Sequence, residues 1–453
     1  MNISVPISKS FETDILVIGS GSAGSIAAIA AAQGKYKVTI VERYGFPGGA
    51  STQALDTFYG FFTPSDRPRK IIGGIPDQVV NELNRSGDIF LRPNTYGAGT
   101  GITYNPERLR LIWDDLFVRN GVRIFYHCIL TGVENNDEIS SCILFHKGIG
   151  FFSINAKRVI DASGDADYCY WAGLPCEKAG SSEPAQSMTT TFRMANVDLK
   201  EFHSMGGKKM LGEKMRDAFE TGRHALPRRE GSVHEMCQQG CISTVAVKVV
   251  DHDALDTESL TDAEIEGRKQ AFSFEEFFRL EVPGFQNSKI IGLAAQIGIR
   301  ETRRVYGEYR LTKVDCMTAK QFDDQVLLCG APIEDHRKSP EGKSETHWEY
   351  IPDGKVYGVP YRTLIPRKSR NVWAIGRCFS ATHDAHASCR SMGQTMAMGQ
   401  AAGLAAILSL KSDCEAVNIE IHKLQDMLLG QGAILEFPSK VADISGGGWD
   451  NNK

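Results

Sequence analysis

Two histidines, a cysteine and an arginine lie close together between residues 383 and 390, and their side chains could carry out acid–base chemistry. His383 or His386 could act as a general base that removes a proton from a hydroxyl or an amine, because imidazole titrates near neutral pH. Arg390 could bind an anionic group through its planar guanidinium. The alternative is that the histidines only hold a loop or a bound ligand by hydrogen bonds. We predict His383, His386 and Arg390 as the catalytic candidates.

The spacing of His383, His386 and Cys389 also resembles part of a metal site. Zinc sites usually have a CxxC or HxxxH pair and a fourth ligand, and this segment has neither. The same objection applies to His234 and the two cysteines that follow it. The chain has no CxxC sequence, which argues against iron–sulfur clusters. We therefore predict no metal.

The element that must position a ligand is at the other end of the chain, in residues 14–42. Residues 15–18 are a continuous apolar run, which predicts a buried parallel strand. A glycine-rich turn follows, then an alanine-rich helix that ends near Gly34, and then a second apolar strand at residues 38–41. These elements form a βαβ unit of about 30 residues.

The glycines of this unit have the spacing GxGxxG. Gly19 permits the tight turn, Gly21 lets the backbone approach a pyrophosphate, and Gly24 allows close packing of helix and strand. Glu42 lies 18 residues after Gly24, where its carboxylate could accept hydrogen bonds from a ribose. The unit predicts dinucleotide binding.

Later segments indicate which dinucleotide. The pair Gly48-Gly49 resembles the doublet that follows the ribose carboxylate in proteins that bind FAD. The alternative is an enzyme that uses NAD alone. No redox cysteine pair follows the doublet, so disulfide reduction by that route is not expected. Residues 158–165 predict a strand that ends in Gly-Asp, and residues 371–376 predict another strand before a loop. The helix predicted after Gly393 would stabilise negative charge on a reduced flavin through its N-terminus.

The chain resembles the bacterial FAD-dependent oxidoreductases, within the glutathione-reductase-like flavoproteins. The motifs that carry the resemblance span nearly the whole chain: IGSGSAG (18–24), GGAS (48–51), VIDASGD (159–165), LTDAEIEGRKQ (260–270), IGIRETRRVYGEYRLT (297–312) and IGRCFSATHDAHASCRSMGQTMAMGQAAGLAA (375–406). The resemblance implies non-covalent FAD, and it is compatible with a homodimer. The residues expected to contact the cofactor are Gly19, Gly21, Ser22, Ala23, Gly24, Glu42, Arg43, Gly48, Gly49, Ala50, Ser51, Leu130, Ala162, Ser163, Gly164, Asp165, Gly376, Arg377, Gly393 and Gln394.

The expected architecture is α/β. A Rossmann-type, glutathione-reductase-like FAD-binding domain would use residues 1–195 and 361–453, and residues 196–360 would form a mixed α+β substrate domain. At ~150 residues per domain the length fits two large units. Within the middle region, helical periodicity runs from Thr261 to Leu280, and Thr261 with Glu264 predicts a capping box at its start.

The expected function is hydride transfer between a small organic substrate, an alcohol or an amine, and N5 of the flavin. One alternative is a monooxygenase or halogenase that uses NAD(P)H or a partner reductase and O₂. Another is a flavin-binding redox sensor without catalytic activity.

The composition of the chain limits the kinds of binding partner that we expect. The 453 residues carry 51 Lys and Arg against 55 Asp and Glu, a net charge of −4, so no basic balance favours nucleic acid or an anionic membrane. We find no signal peptide and no apolar run long enough to cross a membrane. The 11 cysteines lack a disulfide framework, which is typical of reduced thiols in a cytoplasmic protein. A small-molecule substrate is the expected partner.

Overall fold

The computed structural model describes residues 6–94, 96–136, 138–338 and 344–444. The strands are β1 (Ser10–Ile18), β2 (Val38–Val41), β3 (Thr57–Phe58), β4 (Ile89–Arg92), β5 (Gly101–Tyr104), β6 (Arg123–Phe125), β7 (Ile129–Asn135), β8 (Ser140–His146), β9 (Gly150–Asp161), β10 (Cys176–Lys178), β11 (Phe192–Ala195), β12 (Val233–Glu235), β13 (Ile242–Thr244), β14 (Lys289–Leu293), β15 (Arg303–Val305), β16 (Gln325–Cys329), β17 (Ile333–Lys338), β18 (Ser344–Glu349), β19 (Tyr357–Pro360) and β20 (Val372–Ala374).

The α-helices are α1 (Ser22–Ala32), α2 (Ala50–Gln53), α3 (Ile75–Arg85), α4 (Pro106–Arg119), α5 (Asp167–Trp171), α6 (Leu199–Ser204), α7 (Gly207–Thr221), α8 (Thr257–Glu281), α9 (Lys313–Met317), α10 (His383–Cys389), α11 (Met392–Ser412) and α12 (Ile421–Gly430). Short 3-10 helices cover Pro352–Gly354, Tyr361–Leu364, Gly376–Cys378 and Ala416–Asn418.

The main sheet has a parallel, Rossmann-like part with the strand order β6-β2-β1-β9-β20. The first half of β9 also pairs in antiparallel fashion with β8, which continues the sheet to β7. Ile18 of β1 is opposite both Val41 of β2 and Asp161 of β9, and Ala374 of β20 is also opposite Asp161. The predicted motifs therefore end at the same edge of one sheet, and the α/β, Rossmann-like prediction is confirmed.

Helices α1 and α11 pack directly against each other on one face of this sheet. A Cβ atom added to Gly399 of α11 would lie 2.2 Å from the carbonyl oxygen of Ala23, and one added to Gly403 would lie 2.5 Å from that of Ala27. The glycines thus let the two backbones touch, which explains why the C-terminal helix is rich in small residues. The opposite face packs against α5, β7 and β8.

A second hydrophobic core lies between the antiparallel sheet β12-β13-β11-β14 and the helices α6, α7 and α8. Phe192 of β11 packs against Phe274 and Phe278 of α8, with ring centroids 6.4 Å apart in both pairs. The buried residues of this second core lie between Met188 and Ile297 in the sequence. Buried residues between Leu311 and Leu364 instead belong to the core that contains α1 and α11. The domain limits that the sequence predicted, at residues 196 and 360, therefore remain a prediction.

Helix α8 begins four residues earlier than the sequence predicted. Asp256 is its N-cap, and the Asp256 carboxylate accepts a hydrogen bond from the Ser259 backbone N–H at 2.8 Å. The capping box predicted at Thr261 is therefore wrong, because Thr261 already lies within the helix, where its hydroxyl donates to the Thr257 carbonyl.

Candidate functional site

A cavity of about 450 Å³ opens at the carboxyl edge of the parallel strands. Residues that directly follow β1, β2, β9 and β20 line one part of it, and residues from the 189–191 and 296–300 segments line another. The cavity thus joins the glycine-rich turn to the side of the molecule that carries the second core.

The three motif glycines have separate roles. Gly19 has a φ of +92°, and a Cβ there would lie 2.5 Å from the Ala162 carbonyl oxygen. A Cβ on Gly24 would lie 1.9 Å from the Gly19 carbonyl oxygen, so both residues must be glycine for the chain to pack. Gly21 lines the cavity, and a Cβ there would meet nothing within 4 Å. Its open side is the space that a closely bound phosphate group needs.

Helix α1 begins beside this open space without a side-chain cap. The first N–H groups of a helix lack intrahelical acceptors, and the helix dipole places partial positive charge there. The arrangement fits the pyrophosphate of a dinucleotide.

Glu42 lines the same part of the cavity with its carboxylate held in place. One oxygen accepts hydrogen bonds from the backbone N–H and the hydroxyl of Ser20, both at 2.8 Å, and the other accepts from the Tyr44 N–H at 3.0 Å. The Glu42 carboxylate therefore fixes the glycine-rich turn as well as facing the cavity.

Asp165 and Arg377 join the second and third motifs. Arg377 donates hydrogen bonds to the Gly164 carbonyl at 2.9 Å, to the Ile299 carbonyl at 2.7 Å and to the Asp165 carboxylate at 2.6 Å. Burial raises the pKa of Asp165, but the guanidiniums of Arg377 and Arg43 outweigh burial and lower it overall. Asp165 stays ionised and orients Arg377, which lines the cavity.

The N-terminus of α11 reaches the cavity through Met392 and Thr395. Gly393 and Gln394 instead contact Gly60, on the side of the helix away from the cavity. A Cβ on Gly393 would lie 2.9 Å from the backbone of Gly60, and the Gln394 amide donates to the Gly60 carbonyl at 2.9 Å. These two residues therefore fix the position of α11 rather than line the cavity.

His383 is buried between two carboxylates, Glu301 and Asp335, each 3.2 Å from one ring nitrogen. Burial lowers the pKa of His383, but the hydrogen bonds that its ring N–H groups donate to both carboxylates outweigh burial and raise the pKa to about 10. The ring is therefore a cation at neutral pH and has no free nitrogen to accept a proton.

His386 is fully buried, and its Nε2 donates to the Arg377 carbonyl at 2.8 Å. Burial, followed by the charge of Arg304, lowers the pKa of His386 to about 3, so the ring is neutral. Its Nδ1 has no hydrogen-bond partner in the part of the chain that the structure describes. Neither His383 nor His386 lines the cavity, so a role as general base stays a prediction for both. Arg390 does line the cavity.

The structure divides the predicted cofactor residues into two sets. Those on the cavity wall are Gly19, Gly21, Ser22, Ala23, Glu42, Arg43, Gly49, Ala50, Leu130, Ala162, Ser163, Gly164, Gly376 and Arg377. Those behind the wall are Gly24, Gly48, Ser51, Asp165, Gly393 and Gln394. Ser51 Oγ donates to the Gly48 carbonyl at 2.7 Å, which shows that these two residues shape the turn into α2.

Several wall residues were not predicted, among them Gln53, Thr189, Thr191 and Arg300. Gln53 Oε1 is buried and has no partner among the described residues, so it can accept a hydrogen bond from a bound N–H or O–H group. Its position just after the Gly48-Gly49 doublet was the available signal. Arg300 begins the charged run 300–304, and such runs usually form a solvated face.

Residues 14–428 match the protein family described as FAD dependent oxidoreductase. The chain belongs to the FAD-dependent oxidoreductase family. It is accordingly an enzyme and a flavoprotein, and the open Gly21 loop and the uncapped α1 are suited to FAD. No curated protein sequence matches the chain.

Similar solved structures include a geranylgeranyl bacteriochlorophyll reductase-like protein of Thermoplasma acidophilum (13% identity, 94% of this chain and 85% of that one, TM-score 0.49). A second similar structure is a p-nitrophenol 4-monooxygenase of Pseudomonas putida (11% identity, 92% of this chain and 84% of that one, TM-score 0.44). A third is a flavoprotein/dehydrogenase of Cytophaga hutchinsonii (14% identity, 92% of this chain and 83% of that one, TM-score 0.44). Likeness at this level does not identify the reaction of this oxidoreductase.

The described part of this flavoprotein contains no helix with the length and apolarity to span a bilayer. Over the same residues, no three His, Cys, Asp or Glu side chains are grouped as a metal site would require.

Proposed function

We propose that this flavoenzyme transfers a hydride between a small organic substrate and N5 of non-covalently held FAD, within a glutathione-reductase-like arrangement of the FAD domain. The observation that carries the proposal is that one continuous cavity connects two parts of the molecule. It runs from the glycine-rich turn to a wall made by Thr189, Thr191, Arg300, Arg390 and the start of α11. Such a cavity can hold a dinucleotide and bring a second molecule beside it.

FAD, when bound, supplies a two-electron acceptor at N5. The chain contributes binding and electrostatics. Gly21 and the α1 N-terminus hold the pyrophosphate, and Glu42 accepts hydrogen bonds from the ribose. The partial positive charge at the α11 N-terminus favours negative charge near Met392 and Thr395.

The substrate part of the wall combines apolar and hydrogen-bonding side chains. Ala54, Leu55, Val245 and Met392 exclude water from it. Gln53 Oε1 would accept a hydrogen bond from a hydroxyl or amine of the substrate and so orient the carbon that gives up its hydride.

The test is anaerobic reduction of the purified holoprotein by a panel of alcohols, amines, NADH and NADPH, followed at the flavin band near ~450 nm. Free FAD at the same concentration is the control. Bleaching by an alcohol or an amine, and not by NADH or NADPH, is the expected result.

Bleaching by NAD(P)H alone would contradict hydride transfer from an alcohol or amine. Consumption of O₂ together with hydroxylation or halogenation of an added substrate would then establish the monooxygenase or halogenase alternative. Flavin that no donor bleaches and no acceptor reoxidises would identify a redox sensor.

A further inference from the structure

A group of buried basic residues adjoins the cavity and has no role in holding FAD as described above. It consists of Arg228, Lys248, Arg300 and Arg390, and we call it the basic cluster. Arg300 and Arg390 line the cavity, while Lys248 and Arg228 lie behind them with exposures of 2% and 8%. The two arginines on the wall come from different segments, since Arg390 immediately follows α10 and Arg300 precedes β15.

Few carboxylates balance these charges. Glu334 is the acid that influences Arg228, Lys248, Arg300 and Arg390 alike, and its Oε1 is 3.0 Å from His336 Nε2. Glu230 pairs with Arg228 at 2.8 Å, but 62% of the Glu230 side chain is exposed to solvent.

Glu301 and Asp335 also influence Arg390, but both are already paired with His383. Three guanidiniums therefore share one carboxylate, Glu334, whose side chain is 29% exposed. The excess of positive over negative charge affects Arg300. Burial lowers the pKa of Arg300, repulsion by Arg390 lowers it further, and the result is a pKa of about 9.

The cluster also contains donors without acceptors. The Nε atoms of Arg228 and Arg390 and the Nε2 of Gln186 are buried and have no hydrogen-bond partner in the described ranges. Within those ranges Arg300 donates through Nη1 only, to the Ser187 carbonyl and to Thr189 Oγ1. Buried unpaired donors are costly. Of these three residues Arg390 lines the cavity, where an anion would supply an acceptor for its Nε and negative charge beside Arg300 and Arg390.

We propose that the substrate carries an oxyanion, a carboxylate or a phosphate, which Arg300 and Arg390 bind where they line the cavity. Arg228 supports the site from behind through its positive charge. The inference rests on the proposed function, since it assumes that a substrate occupies this part of the cavity. It specifies an alcohol or amine that also bears an acidic group. The pyrophosphate of FAD has its own place at Gly21 and α1.

The test measures binding without turnover. The oxidised holoenzyme is titrated with acetate, succinate or inorganic phosphate at constant ionic strength, and binding is followed by the flavin difference spectrum and by calorimetry. Acetamide is the neutral control. We expect saturable binding of acetate or succinate if the natural group is a carboxylate, of phosphate if it is a phosphate, and none of acetamide.

Variants assign the binding to the two arginines. Arg300→Gln and Arg390→Gln should each raise the Kd of the anion that binds about 10- to 100-fold, because each removes charge-assisted hydrogen bonds. Arg300→Lys retains the positive charge but lacks the two-pronged guanidinium, so its Kd for the anion should lie between those of the unaltered protein and Arg300→Gln. Arg216→Gln, on the exposed face of α7, removes one positive charge elsewhere and should leave the Kd unchanged.

Two results would overturn the inference: no anion binds the unaltered holoenzyme, or the Arg300 and Arg390 variants change the flavin spectrum and FAD affinity while the anion Kd stays the same. The second would assign the arginines to the flavin. Should the Gln variants fold poorly, Arg300→Lys and the titration of the unaltered protein decide the matter. Anion binding without reduction by any donor would sink only the proposed hydride transfer.

Discussion

Replacement of His383 by asparagine should destabilise the fold rather than remove a catalytic base. His383 lies between Glu301 and Asp335, and the Glu301 side chain has no exposed area. An asparagine amide can still donate to one of these carboxylates, but it brings no positive charge. At least one buried carboxylate then loses its cation.

Two routes give the magnitude. The pKa of His383 rises from 6.5 to about 10, which at ~1.36 kcal/mol per pKa unit corresponds to about 5 kcal/mol. Removal of one partner from a buried ion pair costs about 3–5 kcal/mol. We therefore expect His383→Asn to lower the free energy of unfolding by about 3–5 kcal/mol at pH 6, a large part of the usual stability of a protein.

The pH dependence has a definite sign. A raised folded-state pKa means that the contribution of His383 is complete below pH 6.5 and is lost as the pH rises towards about 10. The difference between the two proteins should thus shrink between pH 6.5 and 10. Urea unfolding across this range measures it, with the exposed His422→Asn as the matched control.

The refuting result is specific. If His383→Asn unfolds at the same urea concentration as the unaltered protein at pH 6, and flavin reduction is nevertheless lost, His383 acts on the substrate and our interpretation of the ion network is wrong.

Three further predictions follow from the glycines and the second core. Gly21→Ala should leave the melting temperature of the apoprotein unchanged, because its Cβ meets nothing, yet it should weaken FAD binding more than tenfold by calorimetry. Gly24→Ala should lower both stability and FAD retention, since its Cβ would collide with the Gly19 carbonyl; an apoprotein as stable as the parent would contradict this. Phe274→Ala should cost about 3–5 kcal/mol in urea unfolding, whereas less than 1 kcal/mol would show that the second core is loosely packed.

Local patterns were sufficient to predict the elements that hold the dinucleotide. The apolar run ending at Ile18, the three glycines and Glu42 all lie within about 30 residues of chain, so strand, turn and helix follow from short-range rules. The boundary of α8 could not be predicted as well, because Thr261 and Asp256 are both acceptable caps and tertiary packing chooses between them.

The charge of the histidines could not be predicted for a different reason. Whether His383 is a base or a cation depends on Glu301 and Asp335, which are distant in sequence and adjacent only after folding. Arg300 lies in a run of charged residues, and only the fold shows that it lines the cavity. Charge and proton occupancy are properties of the assembled site.

The contact of α1 with α11 has a consequence for how the protein is made. The glycine-rich turn leaves the ribosome early, but its cavity needs β20 and the start of α11, about 370 residues later. At roughly 5–20 residues per second, translation leaves the turn without its partner walls for roughly 20–75 s. Flavin can therefore be captured only after the start of α11 has been synthesised, and each new molecule passes through an apoprotein stage whose duration depends on the free flavin concentration around it.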